Sequence, residues 1–168
     1  FMARNLLTEL HYSATLDDFK PSRMLSYINQ GLINTDIEKH ATMVIGLINE
    51  KTEEPLYSVG GHLPLPLFHT EEQTGYLSGT GQVVGLFEDA VYEDHSLKLP
   101  PRFSLMLFSD GVLEVLPGES IKEKEQNLIE IVSASDKTIE GLVTELKLDT
   151  AEEIQDDVSF LLLTRNSL

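Results

Sequence analysis

The spacing of apolar residues changes after Asn34, from a helical period to short strand-like runs. Before that point we expect one helix over 1–10, which has no capping residue before it, and a second that begins at Pro21, a residue suited to a first helical turn. After it, runs rich in apolar and β-branched residues predict strands separated by polar turns. These strands are 41–49 and 56–59, expected as a hairpin, followed by 65–69, 75–77, 82–86, an alternating stretch at 92–99, and 103–108.

The last third of the chain combines helical spacing with a final apolar run. Helices are predicted over 124–132 and after Thr138, whose side chain can cap a helix. The runs 103–108 and 158–163 are nearly all apolar, which predicts strands buried on both faces, so the closing strand is expected to be central. Successive strands without intervening helices favour antiparallel pairing. The predicted fold class is therefore α+β, an αββα sandwich of two packed, mainly antiparallel sheets with outer helices.

Charge and composition narrow the set of partners. The 168 residues, one ordinary domain in length, carry 12 basic and 28 acidic side chains and a formal net charge of −16 at pH 7. Such a field repels nucleic acid and anionic membranes, whereas converging carboxylates attract divalent cations. No apolar run approaches the roughly 20 residues of a membrane-spanning helix. Cysteine is absent, which excludes disulfides and a thiol nucleophile and fits a reducing cytoplasm.

Two acidic segments lie next to predicted strands. Asp110 follows the apolar run 103–108 after one serine, Ser109, and Gly111 would let the backbone turn sharply beside it. Asp156 and Asp157 precede the closing strand, where a divalent cation would compensate their charge, although only one of two successive side chains can face a given site. Asp-Gly is also a common turn dipeptide, and acids at a loop–strand junction can simply be solvated, so these alternatives stay open.

A histidine follows a predicted strand end. Gly60 and Gly61 permit close approach or a bulge there, and His62 comes next. His62 can contact phosphate or orient a metal-bound water, and an exposed turn histidine is the alternative interpretation.

Five segments, in this order along the chain, resemble motifs of the PPM family of metal-dependent protein phosphatases. The similarity is to its bacterial branch, which includes the sporulation phosphatase and stress-response sigma-factor phosphatases. The segments are 21–29 (PSRMLSYIN), 41–46 (ATMVIG), 60–64 (GGHLP), 108–114 (FSDGVLE) and 156–159 (DDVS). The resemblance extends over essentially the whole chain.

The resemblance implies an αββα sandwich with two Mn²⁺ or Mg²⁺ ions at one edge. Carried over by position, Asp110 and Asp156 would be metal ligands and catalytic, Gly111 would shape the turn that holds Asp110, and Asp157 occupies a position that is not usually a direct ligand. His62 would contact phosphate or water. The family's remaining ligands lie in a hairpin before the first helix. We therefore expect one domain over 1–168, N-terminally truncated and holding half of the metal cage.

The function implied is metal-dependent hydrolysis of phosphoserine or phosphothreonine in bacterial signalling, in the cytoplasm. The expected substrate is a phosphorylated anti-sigma-factor antagonist, and the domain would follow a receiver or sensor domain, as in a response regulator. Whether the protein forms a homodimer stays open. The alternative is a catalytically inactive relative that serves as a binding adaptor in sigma-factor regulation. A calcium-binding or generic interaction domain is less favoured, because no loop has the acid and glycine pattern of an EF-hand.

Overall fold

The computed structural model describes residues 19–35, 39–48, 54–150 and 156–166. The helix expected over 1–10 lies outside them. The elements in chain order are α1 (Pro21–Ile33), β1 (Met43–Ile48), β2 (Pro55–Gly60), β3 (Leu67–His69), β4 (Thr74–Tyr76), β5 (His95–Ser96), β6 (Phe103–Phe108), α2 (Val112–Val115), α3 (Ile121–Ala134), α4 (Ile139–Glu145) and β7 (Phe160–Arg165). Two compact units contain them. One is formed by the described residues up to His62 together with Ser78–Leu99, and the other by Leu63–Leu77 and the described residues from Pro100 onward.

The first unit consists of a hairpin, a short third strand and one helix. Strands β1 and β2 pair antiparallel over their whole length, which confirms the predicted hairpin, and β2 also pairs with β5. Helix α1 begins at the predicted Pro21 and packs on β1 and β2. Its apolar stripe of Leu25, Ile28 and Leu32 is buried, and with Val84 and Tyr92 it forms the core of this unit. Burial of that stripe stabilises the helix more than its intrinsic propensity does.

The strand predicted over 82–86 is wrong. Within the described residues, only Val84 makes a bridge there, through two hydrogen bonds of 2.8 and 2.9 Å with the backbone of Ala41. The chain then turns at Gly85, whose N–H donates to the side chain of Asn29 at 2.6 Å and not to a neighbouring strand. The alternating stretch 92–99 likewise forms only the two-residue strand β5.

The second unit is a four-stranded antiparallel sheet with helices on one face, in the order β4-β3-β6-β7. Strand β6 covers the predicted residues. Helix α3 starts three residues before its predicted start, because Ser120 caps it by accepting from the N–H of Glu123. Thr138 caps α4 as expected. Residues from β3, β6, the three helices and the C-caps of α2 and α4 form one core, comprising Leu67, Met106, Phe108, Val112, Leu113, Leu116, Leu128, Val132, Leu142 and Leu146.

Among the strands that the structure describes, the closing strand lies at the edge of its sheet and not at the centre, contrary to the expectation from its apolar run. In the described part of the chain, β7 pairs with β6 alone and ends the sheet order. Leu161 and Leu163 are 59% and 39% exposed. The composition of a strand sets what it can bury, whereas its place in the sheet depends on which other strands pair with it.

The α+β class with two antiparallel sheets and segregated helices is confirmed. None of the helices in the described ranges is both long and apolar enough to cross a membrane.

Candidate functional site

The two acidic segments meet at one end of the β6–β7 pair. Phe108 and Phe160 are partners at that end of the ladder, with ring centroids 5.6 Å apart. In an antiparallel pair the end of one strand lies beside the start of the other. Asp110, which follows β6, is therefore brought beside the 156–159 segment, which leads into β7.

Ser109 joins the two strand ends through three hydrogen bonds. Its N–H donates to the carbonyl oxygen of Ser159 at 2.8 Å. Its Oγ donates to the carbonyl oxygen of Asp157 at 3.0 Å and accepts from the N–H of Ser159 at 2.8 Å. Ser109 was not predicted as a site residue, and its signal in the sequence is a hydroxyl residue between a buried strand and an acid.

The backbone turns at Asp110 and Gly111 as expected, and the N–H of Val112 donates to the carbonyl oxygen of Ser109 across the turn at 3.1 Å, but glycine is required there by close approach and not by its backbone angles. Its φ of −53° and ψ of −25° are ordinary helical values, and it is the N-cap of the short helix α2, which the sequence analysis did not predict. A Cβ at this position would lie 2.5 Å from the carbonyl oxygen of Asp157 and 3.2 Å from that of Asp156. A side chain at residue 111 would therefore push the two acidic segments apart.

The three aspartates have the donor chemistry of a site for a hard cation. Asp110, Asp156 and Asp157 are all exposed. The N–H of Asp157 donates to Oδ1 of Asp156 at 2.8 Å, which orders that carboxylate and leaves it further lone pairs. Carboxylate oxygens suit Mg²⁺ and Mn²⁺. Among the residues that the structure describes, however, no group of three or more acids or histidines could hold an ion. The described aspartates thus have the chemistry to supply part of the coordination shell of such a cation.

His62 belongs to the first unit and follows β2 directly after Gly61. Gly61 has φ of +67°, and a Cβ there would lie 2.8 Å from Cα of Val83. The close approach expected at the paired glycines is therefore confirmed. His62 itself is partly buried, and its contact with phosphate or water stays a prediction.

A buried amide in the first unit was not singled out as functional by the sequence analysis. Asn29 on α1 is 1% exposed. Its Oδ1 accepts from the N–H of Gly85 at 2.6 Å and from the hydroxyl of Tyr92 at 3.3 Å, and its Nδ2 donates to the carbonyl oxygen of Phe87 at 2.9 Å. Asn29 thus fastens the loop between Val84 and Tyr92 to the helix.

The sequence is similar to a known protein family and to individual proteins. Residues 1–166 match the family model described as Stage II sporulation protein E (SpoIIE). The chain is 26% identical over 151 residues to the phosphoserine phosphatase RsbU of Bacillus subtilis, an alignment that covers 86% of this chain and 45% of RsbU. The chain therefore spans less than half the length of this curated relative.

Solved structures share the fold. The RsbU and RsbW domains of Rv1364c from Mycobacterium tuberculosis match with a TM-score of 0.73 at 22% identity, covering 98% of this chain and 47% of that one. The phosphatase domain of SpoIIE from Bacillus subtilis, presoaked with Mn, matches with a TM-score of 0.62 at 16% identity, covering 98% and 73%. At these identities the likeness shows the fold alone.

Proposed function

The chain belongs to the SpoIIE family, and on that premise we propose that it is a metal-dependent phosphatase domain acting on phosphoserine or phosphothreonine in proteins. The proposed domain extends over 1–168. The similarity to RsbU, which is named a phosphoserine phosphatase, supports this class of substrate.

One observation carries the proposal, the convergence of Asp110 with the segment of Asp156 and Asp157 at one end of the β6–β7 pair. Ser109 joins the two segments by hydrogen bonds, and Gly111 abuts them without a side chain. Backbone contacts that bring acidic residues to one strand end of a sheet support the proposal of a divalent-cation site there.

Asp110 and Asp156 are the proposed ligands, with Asp157 and the backbone of Gly111 beside them. A divalent cation bound there supplies charge neutralisation for the phosphoryl group and a lowered pKa for a bound water. The residues of this chain would hold and orient the cation. Asp110 follows a strand whose ladder fixes its backbone, and the carboxylate of Asp156 is ordered by the N–H of Asp157. His62 is the proposed contact for phosphate or water. The chain contains no cysteine, in agreement with a reaction without a thiol nucleophile.

The biological substrate we propose is a phosphorylated anti-sigma-factor antagonist, and the setting is cytoplasmic signalling downstream of a receiver or sensor domain. The support is the PPM resemblance of the five motifs together with the SpoIIE family membership. A net charge of −16 favours a protein substrate with a basic surface over nucleic acid.

The test is phosphate release from a phosphoserine protein by the full-length protein, with and without Mn²⁺. Asp110→Asn and Asp156→Asn each remove one charged ligand, and turnover should fall about a hundredfold or more, the scale on which single groups that stabilise transition-state charge act. Asp89→Asn, which neutralises an exposed acid of the first unit, is the matched control and should keep wild-type turnover. Unchanged turnover in Asp110→Asn would remove Asp110 from the site.

The second candidate function is a catalytically inactive adaptor that binds a sigma factor or its regulator. The described residues offer no group of three ligands, and both the adaptor and the enzyme are compatible with that part of the chain. A protein that binds its phosphoprotein partner equally well with Mn²⁺ and with a chelator, and releases no phosphate under either condition, would be an adaptor.

A further inference from the structure

We propose that Ser109 is a positioning residue whose hydroxyl sets the spacing between the two acidic segments. The proposal concerns the geometry of the chain itself, and only its consequence for cation binding rests on the proposed function.

The 156–159 segment lies outside the strand ladder. The pairing of β6 with β7 runs from Phe103 with Arg165 to Phe108 with Phe160, and it does not extend to residue 159. Within the described residues, the hydrogen bonds that join this segment to the end of β6 all involve Ser109. Val158 packs on the core and Gly111 lies against the backbone of the segment, but the hydrogen bonds to the end of β6 depend on one residue.

The hydroxyl performs two tasks that an apolar side chain cannot. It donates to the carbonyl oxygen of Asp157 and accepts from the N–H of Ser159. The hydroxyl therefore holds the segment at two points, which are two residues apart in the sequence. A hydroxyl is the small group that offers one donor and two acceptor sites. Without it, water can satisfy these backbone groups but cannot hold them at a fixed distance from Asp110, the next residue along the chain.

A matched pair of variants separates the hydroxyl from the size of the side chain. Ser109→Thr keeps the hydroxyl and adds a methyl group, whereas Ser109→Val has the same shape as threonine without the hydroxyl. Ser133→Ala is the control, since it also loses a hydroxyl bond, to the carbonyl oxygen of Ile129 at 2.7 Å on α3.

The first readout is amide hydrogen exchange by NMR on the full chain in the presence of a chelator. In Ser109→Val, we expect the Ser159 amide to exchange about tenfold faster or more, because the hydrogen bond that protects it is lost. In Ser109→Thr, its exchange rate should stay within about twofold of wild type. Exchange on α3 and β3 should not change. Equal Ser159 exchange in wild type and Ser109→Val overturns the proposal, and so does a uniform acceleration across the chain, which would make Ser109 a general stability residue.

The second readout is the Mn²⁺ concentration that half-broadens the amide signals of 109–111 and 156–159. Loss of a residue that orients ligands typically weakens metal binding about 10- to 100-fold, so Ser109→Val should shift the midpoint by that factor and Ser109→Thr should not. If Ser109→Val accelerates exchange but Mn²⁺ broadens no variant, the positioning role is supported and the proposed metal site fails. If Mn²⁺ binds all variants equally, Ser109 does not position the ligands.

Discussion

The contact between Gly111 and the opposite acidic segment predicts the effect of a single methyl group. In Gly111→Ala, the new Cβ would lie 2.5 Å from the carbonyl oxygen of Asp157. Real Cβ atoms essentially never approach another atom within 3.0 Å. Because the obstacle is backbone and not a flexible side chain, either α2 or the 156–159 segment must move by several tenths of an ångström.

The magnitude follows from two opposing terms. Forcing an extra carbon into a packed site costs about 1–3 kcal/mol. Replacement of glycine by alanine also restricts the unfolded chain, which stabilises by about 0.4–1 kcal/mol where the backbone angles suit alanine. They do suit it at Gly111, where φ is −53° and ψ is −25°. The net loss in the free energy of unfolding therefore spans about 0–2.6 kcal/mol and is centred at about 1.3 kcal/mol. A loss of that central size lowers the Tm of a domain of this size by about 3–5 °C.

Thermal unfolding followed by far-ultraviolet circular dichroism, with a chelator present, measures this loss, since the chain has no tryptophan for fluorescence. The matched control is Gly75→Ala in β4 of the same unit, where a Cβ would meet no atom within 4 Å. The control gains the entropic term without the clash, so its Tm should equal or exceed that of wild type. A Gly111→Ala protein with a Tm as high as that of Gly75→Ala would refute the close-approach argument.

Three further predictions concern stability. Asn29→Ala leaves an N–H and a carbonyl of the 85–92 loop without their buried partner, and should lower the free energy of unfolding by about 2–4 kcal/mol in urea denaturation; a change below about 0.5 kcal/mol would contradict it. Lys147 has φ of +57°, in the left-handed region that is unfavourable for a residue with a Cβ. Lys147→Gly should therefore raise the free energy of unfolding by about 0.5–1 kcal/mol. Lys137→Gly, at φ of +58°, should raise the free energy of unfolding by less, because Lys137 Nζ donates to two carbonyl oxygens and these hydrogen bonds are lost. A larger gain in Lys137→Gly than in Lys147→Gly would refute this explanation. Burial, and to a smaller extent Lys137, lowers the pKa of His69, so the unfolded chain binds more protons just below pH 6.5 and stability rises with pH through that window. His69→Gln should flatten the rise, which urea midpoints at about pH 5 and about pH 7.5 would show.

The local elements were predictable because their signals are local. Strand β6 was bounded by an apolar run of six residues, α1 by a proline, and α4 by a threonine cap. The hairpin of β1 and β2 followed from a short polar turn between two strand-like runs. Backbone angles and caps depend on residues a few positions apart, so spacing in the sequence is sufficient to predict them.

Resemblance to the motifs of a family, and not spacing, selected Asp110 and Asp156 as ligands. Their backbones meet because β6 and β7 are antiparallel neighbours, a pairing between residues about fifty positions apart. The structure supplied what no motif stated, the hydroxyl clamp of Ser109 and the steric reason for Gly111.

The sequence by itself determined the class of fold, most of the helices and strands, and the acidic segments from which a site can be built. Only the tertiary structure decided that β7 ends its sheet within the described residues, that 82–86 turns away at Gly85, and that Ser109 holds the 156–159 segment. The physical reason is that these features depend on contacts between residues distant in the chain. The apolar pattern of a segment states that it will be buried, but its partner is chosen by packing and hydrogen bonding across the whole unit.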